Sequence, residues 1–204
     1  MMRTEAILLL GPTGVGKTPL GDCMAEHGLF GRRCVHFDFG AQLRQVSNRG
    51  GKGLTPGDVA TVQSVLAGGA LLEDDTFHIA RTILEVFMAE QDIGGQDIII
   101  LNGLPRHAGQ ARDVGEILNV ILIVALECTA EITHERILQN SGGDRAERTD
   151  DSVAEIGRKL EIYAARTRPL LAHYRAEGIR HCRVPVHVET TPADILALLE
   201  PTEV

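Results

Sequence analysis

Eight residues near the amino terminus, Gly11-Pro12-Thr13-Gly14-Val15-Gly16-Lys17-Thr18, fit the pattern G-x-x-x-x-G-K-[ST] at every fixed position. The spacing suits one task, the cradling of phosphate oxygens. Glycines let the backbone wrap closely, while its N–H groups and the start of the following helix supply fixed positive charge. Lys17 is placed to reach the outer phosphates, and the Thr18 hydroxyl to ligate magnesium. Two further chemistry-bearing stretches, Asp38 and Asn102-Gly103-Leu104-Pro105-Arg106, each follow a short apolar run.

Those runs must be the elements that position the chemistry. Residues 4–10, 34–37, 97–101 and 120–126 read as strands buried on both faces, because they are apolar without alternation. A fifth strand is expected at 182–188, where Pro185 suits an edge. Between them the pattern predicts helices over 17–27, 40–49, about 55–66 with Thr55 as cap and Pro56 in its first turn, and about 74–91. A long helix is expected over 150–177, opened by Ser152 and Glu155 and kinked near Pro169, and a short one from Thr191-Pro192. Alternating strands and helices imply an α/β fold, a parallel sheet with helices on both faces. Ligands of such sheets lie beyond the carboxyl ends of the strands, which gathers the loop, Asp38 and residues 102–106 at one edge.

Composition narrows the partners. With 28 acidic and 20 basic residues the formal charge is −8, which opposes general binding to nucleic-acid backbones. The absence of Trp, with 2 Tyr and 5 Phe, leaves no aromatic platform for single strands. No apolar run has the length of a membrane span or a signal peptide, so no membrane partner and a cytoplasmic location are expected. Cys23, Cys34, Cys128 and Cys182 are scattered without a C-x-x-C pair, as in reduced structural thiols.

The order of features resembles the adenylate kinase and nucleoside monophosphate kinase family from residue 11 to about residue 177. Carrying the likeness are Gly11 to Thr18, Phe39 to Arg44, Asn102 to Arg106 with Gln110, and Arg136 followed by Arg148-Thr149-Asp150-Asp151. Arg158-Lys159-Leu160, Tyr163 and Thr167-Arg168-Pro169-Leu170 extend it. The resemblance implies a single P-loop domain over 1–204, a three-layer fold on a five-stranded parallel sheet. Its core would span 1–39, 73–138 and 150–204, its helical acceptor-binding arm 40–72, and its short lid loop 139–149. It also implies ATP and Mg2+ on the loop, nucleotide or small-molecule substrates, and a monomer or small homo-oligomer. Arg136 would lie against the donor adenine. Arg44 and Arg106 would hold the acceptor phosphate, with Gln110, Asp38 and Phe39 around the rest of the acceptor. Lys17, Arg106, Arg148 and Lys159 would stabilise the transferring group, as phosphoryl transfer requires positioning and charge more than covalent help.

The chain also departs from that pattern. Phe39 stands where a small hydroxylated residue is usual beside the acceptor base, and Asn102 where an Asp usually helps organise magnesium. Asn140 occupies a lid arginine's place, which Arg145 could fill from the lid, and Lys159 replaces another arginine. Asp38, expected to follow a strand directly beside the loop, offers a repair, since kinases of the shikimate and gluconate type place an acid similarly, to bind a substrate hydroxyl or to restore charge near magnesium. The alternative is that Asp38 caps the following helix, just as Asp150 and Asp151 could be helix N-terminal charges. Three functions follow: a nucleoside monophosphate kinase, a small-metabolite kinase using Asp38, or a non-catalytic nucleotide-binding protein.

Overall fold

The computed structural model describes residues 3–143 and 153–199. Its apolar runs form strands without polar alternation because helices cover both faces. Strands β1 (Thr4–Leu10), β2 (Cys34–Asp38), β3 (Ile98–Asn102), β4 (Leu118–Glu127) and β5 (Arg180–Pro185) make one parallel sheet in the order β2-β3-β1-β4-β5. Pleating sends Ala6, Leu8 and Leu10 into one core layer with Phe37, Leu84 and Ile99. Ile7 and Leu9 enter the other with Leu20, Met24 and Ile98.

Helices α1 (Lys17–His27) and α9 (Pro192–Leu199) cover the second layer. The first lies under α2 (Phe39–Arg49), α3 (Pro56–Gly68), α4 (Phe77–Glu90), α5 (Ala108–Ile117) and α8 (Leu170–Ala176). The expected α/β three-layer fold is therefore present. Helices α5 and α6 (Ala130–Leu138) add to the elements read from the sequence. Among the described residues no helix is long and apolar enough to cross a membrane.

Three expectations need adjustment. Strand β5 begins two residues before the expected start at 182 and stops at Pro185, which has no N–H to extend the ladder. Its exposed Arg180 and Arg183 blunt this sheet edge against pairing with another chain. The long helix is divided: α7 (Val153–Ile162) runs into a π-helical turn, Tyr163–Thr167, before α8. Pro169 cannot donate to Ala165, and the Arg168 N–H reaches back to the Tyr163 carbonyl at 2.8 Å, so the distortion falls one turn before the proline. Finally, β3 lies between β1 and β2, so Asp38 follows a strand one removed from the phosphate loop rather than beside it.

The arm is built from local rules. The Thr55 hydroxyl accepts from the Asp58 N–H at 3.2 Å, and the Asp58 carboxylate accepts from the Thr55 N–H at 2.9 Å, closing a capping box ahead of α3. Those bonds, led by the Thr55 N–H and joined by His78, hold the Asp58 carboxyl at about 2. Gly69, in a left-handed conformation at φ 60°, ends the helix.

Candidate active site

Parallel strands deliver their carboxyl ends to one edge, and a cavity of about 240 Å³ opens there. The loop after β1, the ends of β2 and β3, the arm, α7 and the π-helical turn all line it. Gly16 turns the loop into α1 at φ 107°, a region a side chain would resist. The Lys17 ammonium folds back on the loop it serves, donating to the carbonyls of Gly11 and Pro12 at 2.7 Å each.

Thr18, Asp38 and Asn102 meet beside that loop. The Thr18 hydroxyl donates to Asp38 Oδ2 at 2.8 Å, and the Asn102 amide nitrogen donates to Asp38 Oδ2 and Thr18 Oγ1, each at 3.1 Å. The other Asp38 oxygen accepts from the Ala41 N–H at 2.9 Å and caps α2. Capping and proximity to the loop are thus two uses of one carboxylate. Asp38 and Asn102 are also register partners on β2 and β3, so an acid on one strand faces an amide on the next. A hydroxyl and a carboxylate 2.8 Å apart beside a phosphate cradle are the hard oxygen donors magnesium prefers. Among the described residues there is no cluster of three or more His, Cys, Asp or Glu that could hold a metal. Thr18 and Asp38 would be the residues to hold magnesium, which would supply charge neutralisation beside the phosphates.

Behind Asn102 lies His36. Its Nδ1 sits 2.7 Å from Asp22 Oδ1 and its Nε2 3.4 Å from the Asn102 amide nitrogen. The ring rests on α1 at Gly21, where any Cβ would overlap it. Gly21→Ala is accordingly expected to destabilise the protein by about 1–3 kcal/mol through overpacking, against the usual helix gain. Gly157 in α7 has nothing among the described residues within 4 Å of its absent Cβ, and there Ala should stabilise by up to about 1 kcal/mol. Denaturant unfolding of both variants checks the contrast.

Arg106 also lines the cavity, and burial pushes its guanidinium pKa down with no carboxylate among the described residues offsetting it. Its Nε donates to Thr167 Oγ1 at 3.4 Å, and that hydroxyl donates to the Arg106 carbonyl at 3.0 Å. A desolvated cation without a counterion is a standing invitation to an anion. Arg106→Met is expected to weaken the binding of a phosphate-bearing ligand by about 30- to 150-fold, the 2–3 kcal/mol of a charge-assisted hydrogen bond. The melting temperature should hold or rise; calorimetric titration and thermal unfolding read the two effects. Arg44 reaches the same cavity from α2, and Lys159 from α7.

Other expected site residues are placed differently. Gln110 lines the cavity but is 1% exposed and engaged at both ends: its Oε1 accepts from the Arg106 N–H at 2.7 Å, and its Nε2 donates to the Leu72 carbonyl at 2.8 Å. That carbonyl also bonds His107 Nε2 at 3.1 Å. Gln110 thus ties the end of the arm to the segment that carries Arg106 while bordering the cavity. The Phe39 ring is buried and stacks on Phe37 at 5.9 Å, so it fills core as well as bounding the cavity. Arg136 is 4% exposed and lies outside the cavity lining; its Nη1 donates to the carbonyls of His187, Val188 and Thr190 at 2.6, 2.8 and 3.1 Å. It staples α6 to the segment after β5, with Nη2 near Gly16, rather than presenting a face to the cavity.

Asn140 follows α6 at φ 48°, and the Ser141 N–H bonds back to the Arg136 carbonyl at 3.0 Å. This helix stop favours asparagine, which explains its presence in a position expected to carry a lid arginine. Arg145, Arg148, Asp150 and Asp151 lie outside the described residues. Arg158, Tyr163 and Thr167 also line the cavity and were not assigned site roles from the sequence. Arg158 Nη1 donates to the Gly68 carbonyl at 2.8 Å, joining α7 to the arm, a contact no local pattern announces.

Residues 10–157 match a family described as an AAA domain. Among curated proteins, the chain is 30% identical over 182 residues to an adenylate kinase of Parvibaculum lavamentivorans, covering 84% of this chain and 80% of that protein. An adenylate kinase of Synechococcus sp. strain WH7803 is also 30% identical, over 86% of this chain and 87% of its own. One from Geobacter sp. strain M21 is 29% identical over 95% of this chain and 98% of its own. Among solved structures, a gluconokinase from Sinorhizobium meliloti 1021 shares the fold at a TM-score of 0.50 and 18% identity, over 97% of this chain and 90% of that one.

Proposed function

The chain belongs to the adenylate kinase family of P-loop kinases, and we propose that it transfers the γ-phosphoryl group of ATP to a nucleoside monophosphate or close analogue. The observation that carries the proposal is Arg106, a half-buried arginine with no carboxylate partner among the described residues, in one cavity with Arg44 and the phosphate loop. That arrangement suits phosphate at both ends of a transfer. Thr18 and Asp38 would hold the hydrated magnesium, Lys17 the outer phosphates of ATP, and Lys159 with Arg148 the group in transit. Gly11 to Gly16 would wrap the phosphates through their backbone, and Arg136 would support the donor side from beneath Gly16.

The gluconate-type alternative, with Asp38 on a substrate hydroxyl, is less well supported. Both Asp38 oxygens are engaged, one by Ala41 and the other by Thr18 and Asn102. The arm side of the cavity is aliphatic, with Leu43, Val65, Leu66, Leu71 and Leu72, which suits a flat organic body better than a polyol. The test is an acceptor panel of nucleoside monophosphates and hydroxylated acids, incubated with ATP and magnesium and separated chromatographically. A nucleoside diphosphate product is expected. ADP released only with a hydroxylated acid would favour the alternative, and ATP binding without transfer to any acceptor would overturn both.

A further inference from the structure

We propose that His36 is a positioning residue for the magnesium-facing triad, one that fixes which end of the Asn102 amide faces Asp38 and Thr18. The proposal rests on the role given above to Thr18 and Asp38.

Donor and acceptor rules leave one arrangement of protons. An ionised carboxylate only accepts, so the contact between Asp22 Oδ1 and His36 Nδ1 at 2.7 Å puts the hydrogen on Nδ1. The Asn102 nitrogen only donates, so Nε2, 3.4 Å away, accepts. The tautomer that satisfies both contacts aims the Nε2 lone pair at Asn102. One amide hydrogen goes to that lone pair and the other lies between Asp38 Oδ2 and Thr18 Oγ1, both at 3.1 Å. An inverted amide would set its oxygen against a carboxylate oxygen on one side and a ring lone pair on the other. Asp38 enforces the same choice only while its lone pairs are directed at Asn102; a carboxylate serving a hydrated cation has fewer to give. His36 keeps the amide nitrogen facing Asp38 in either circumstance, the part that outer partners play around metal centres.

The niche is built for the ring. The His36 side chain is 7% exposed although its partner Asp22 is 67% exposed. Gly21, in the middle of α1, leaves the space the ring occupies. A structural histidine needs a filled niche and a satisfied ring, but not an acceptor directed at the amide that meets Thr18 and Asp38.

Two substitutions separate these roles. Gln in place of His36 can offer an acceptor near the position of Nε2, whereas Asn retains a polar group near Nδ1 and loses the reach to Asn102. ATP affinity is measured calorimetrically with and without magnesium, beside thermal unfolding and transfer rates. In the wild type magnesium should tighten ATP binding. His36→Asn is expected to lose about 10- to 100-fold of that gain, the effect typical of outer-shell partners. His36→Gln should keep most of it at a similar melting temperature. Long-range nitrogen–proton NMR of the metal-free protein should show Nδ1 protonated and Nε2 bare. Equal losses in the two variants, or a proton on Nε2, would overturn the positioning role while leaving wild-type transfer untouched. A wild type that transfers no phosphoryl group and gains nothing from magnesium would instead overturn the role of Thr18 and Asp38, and this one with it.

Discussion

Lys17→Ala is expected to lower the rate of phosphoryl transfer by about 10²- to 10³-fold, the loss that follows removal of one preorganised charge from a developing transition state. The ammonium is held 2.7 Å from two carbonyls of its own loop, so it is already at the cradle before any phosphate arrives. Little rearrangement is needed to exchange those carbonyls for phosphate oxygens, which is what makes the charge preorganised. Lys17→Arg should not restore the rate, because a planar fork cannot occupy the space of a compact ammonium enclosed by the loop. Steady-state rates give the loss, and calorimetry with ATP should show a smaller effect on ground-state binding. A rate within tenfold of wild type would remove Lys17 from the mechanism.

Asp38→Asn is expected to reduce magnesium-dependent ATP affinity by about 10- to 100-fold while leaving the fold intact, since asparagine also caps helices well. Asn102→Asp alone should destabilise the protein. It sets two carboxylates about where donor and acceptor now lie 3.1 Å apart, and one of them must stay protonated. The double variant Asp38→Asn, Asn102→Asp moves the charge across one register pair from β2 to β3. It should recover much of what each single change loses, a coupling that a double-mutant cycle reads directly. Additive losses would mean that the position of the acid, and not merely its presence, decides metal binding.

What the sequence disclosed was what local chemistry determines. The loop motif, the capping box at Thr55 and Asp58 and the buried runs of β1, β3 and β4 depend on neighbours a few residues away. Asp38 was legible as a cap and as an acid near the loop, yet the order of strands was not, because nothing within β2 says that β3 intervenes. The backbone contacts of Gln110 and Arg136 were hidden for a related reason. Their partners, Leu72 and residues 187–190, are distant along the chain, and a polar side chain in a family motif looks the same whether it faces a ligand or a backbone carbonyl. The π-helical turn at Tyr163–Thr167 was half visible: Pro169 announced a break, while its displacement by a turn came from the Arg168 hydrogen bond.

The two bonds to the Leu72 carbonyl have a mechanical meaning. At its far root the arm is tied by His107 and Gln110 to the segment that carries Arg106, and at its near root by Asp38 to Thr18. The arm is thus anchored at both ends to the edge of the sheet that it covers. Between those anchors the chain turns from α2 to α3 through Gly50 and Gly53, whose φ values of 76° and 77° lie where glycine is favoured. The span from α2 to α3 is held at two points far apart along the chain, one beside the phosphate loop and one beside Arg106, and both anchors border the same cavity.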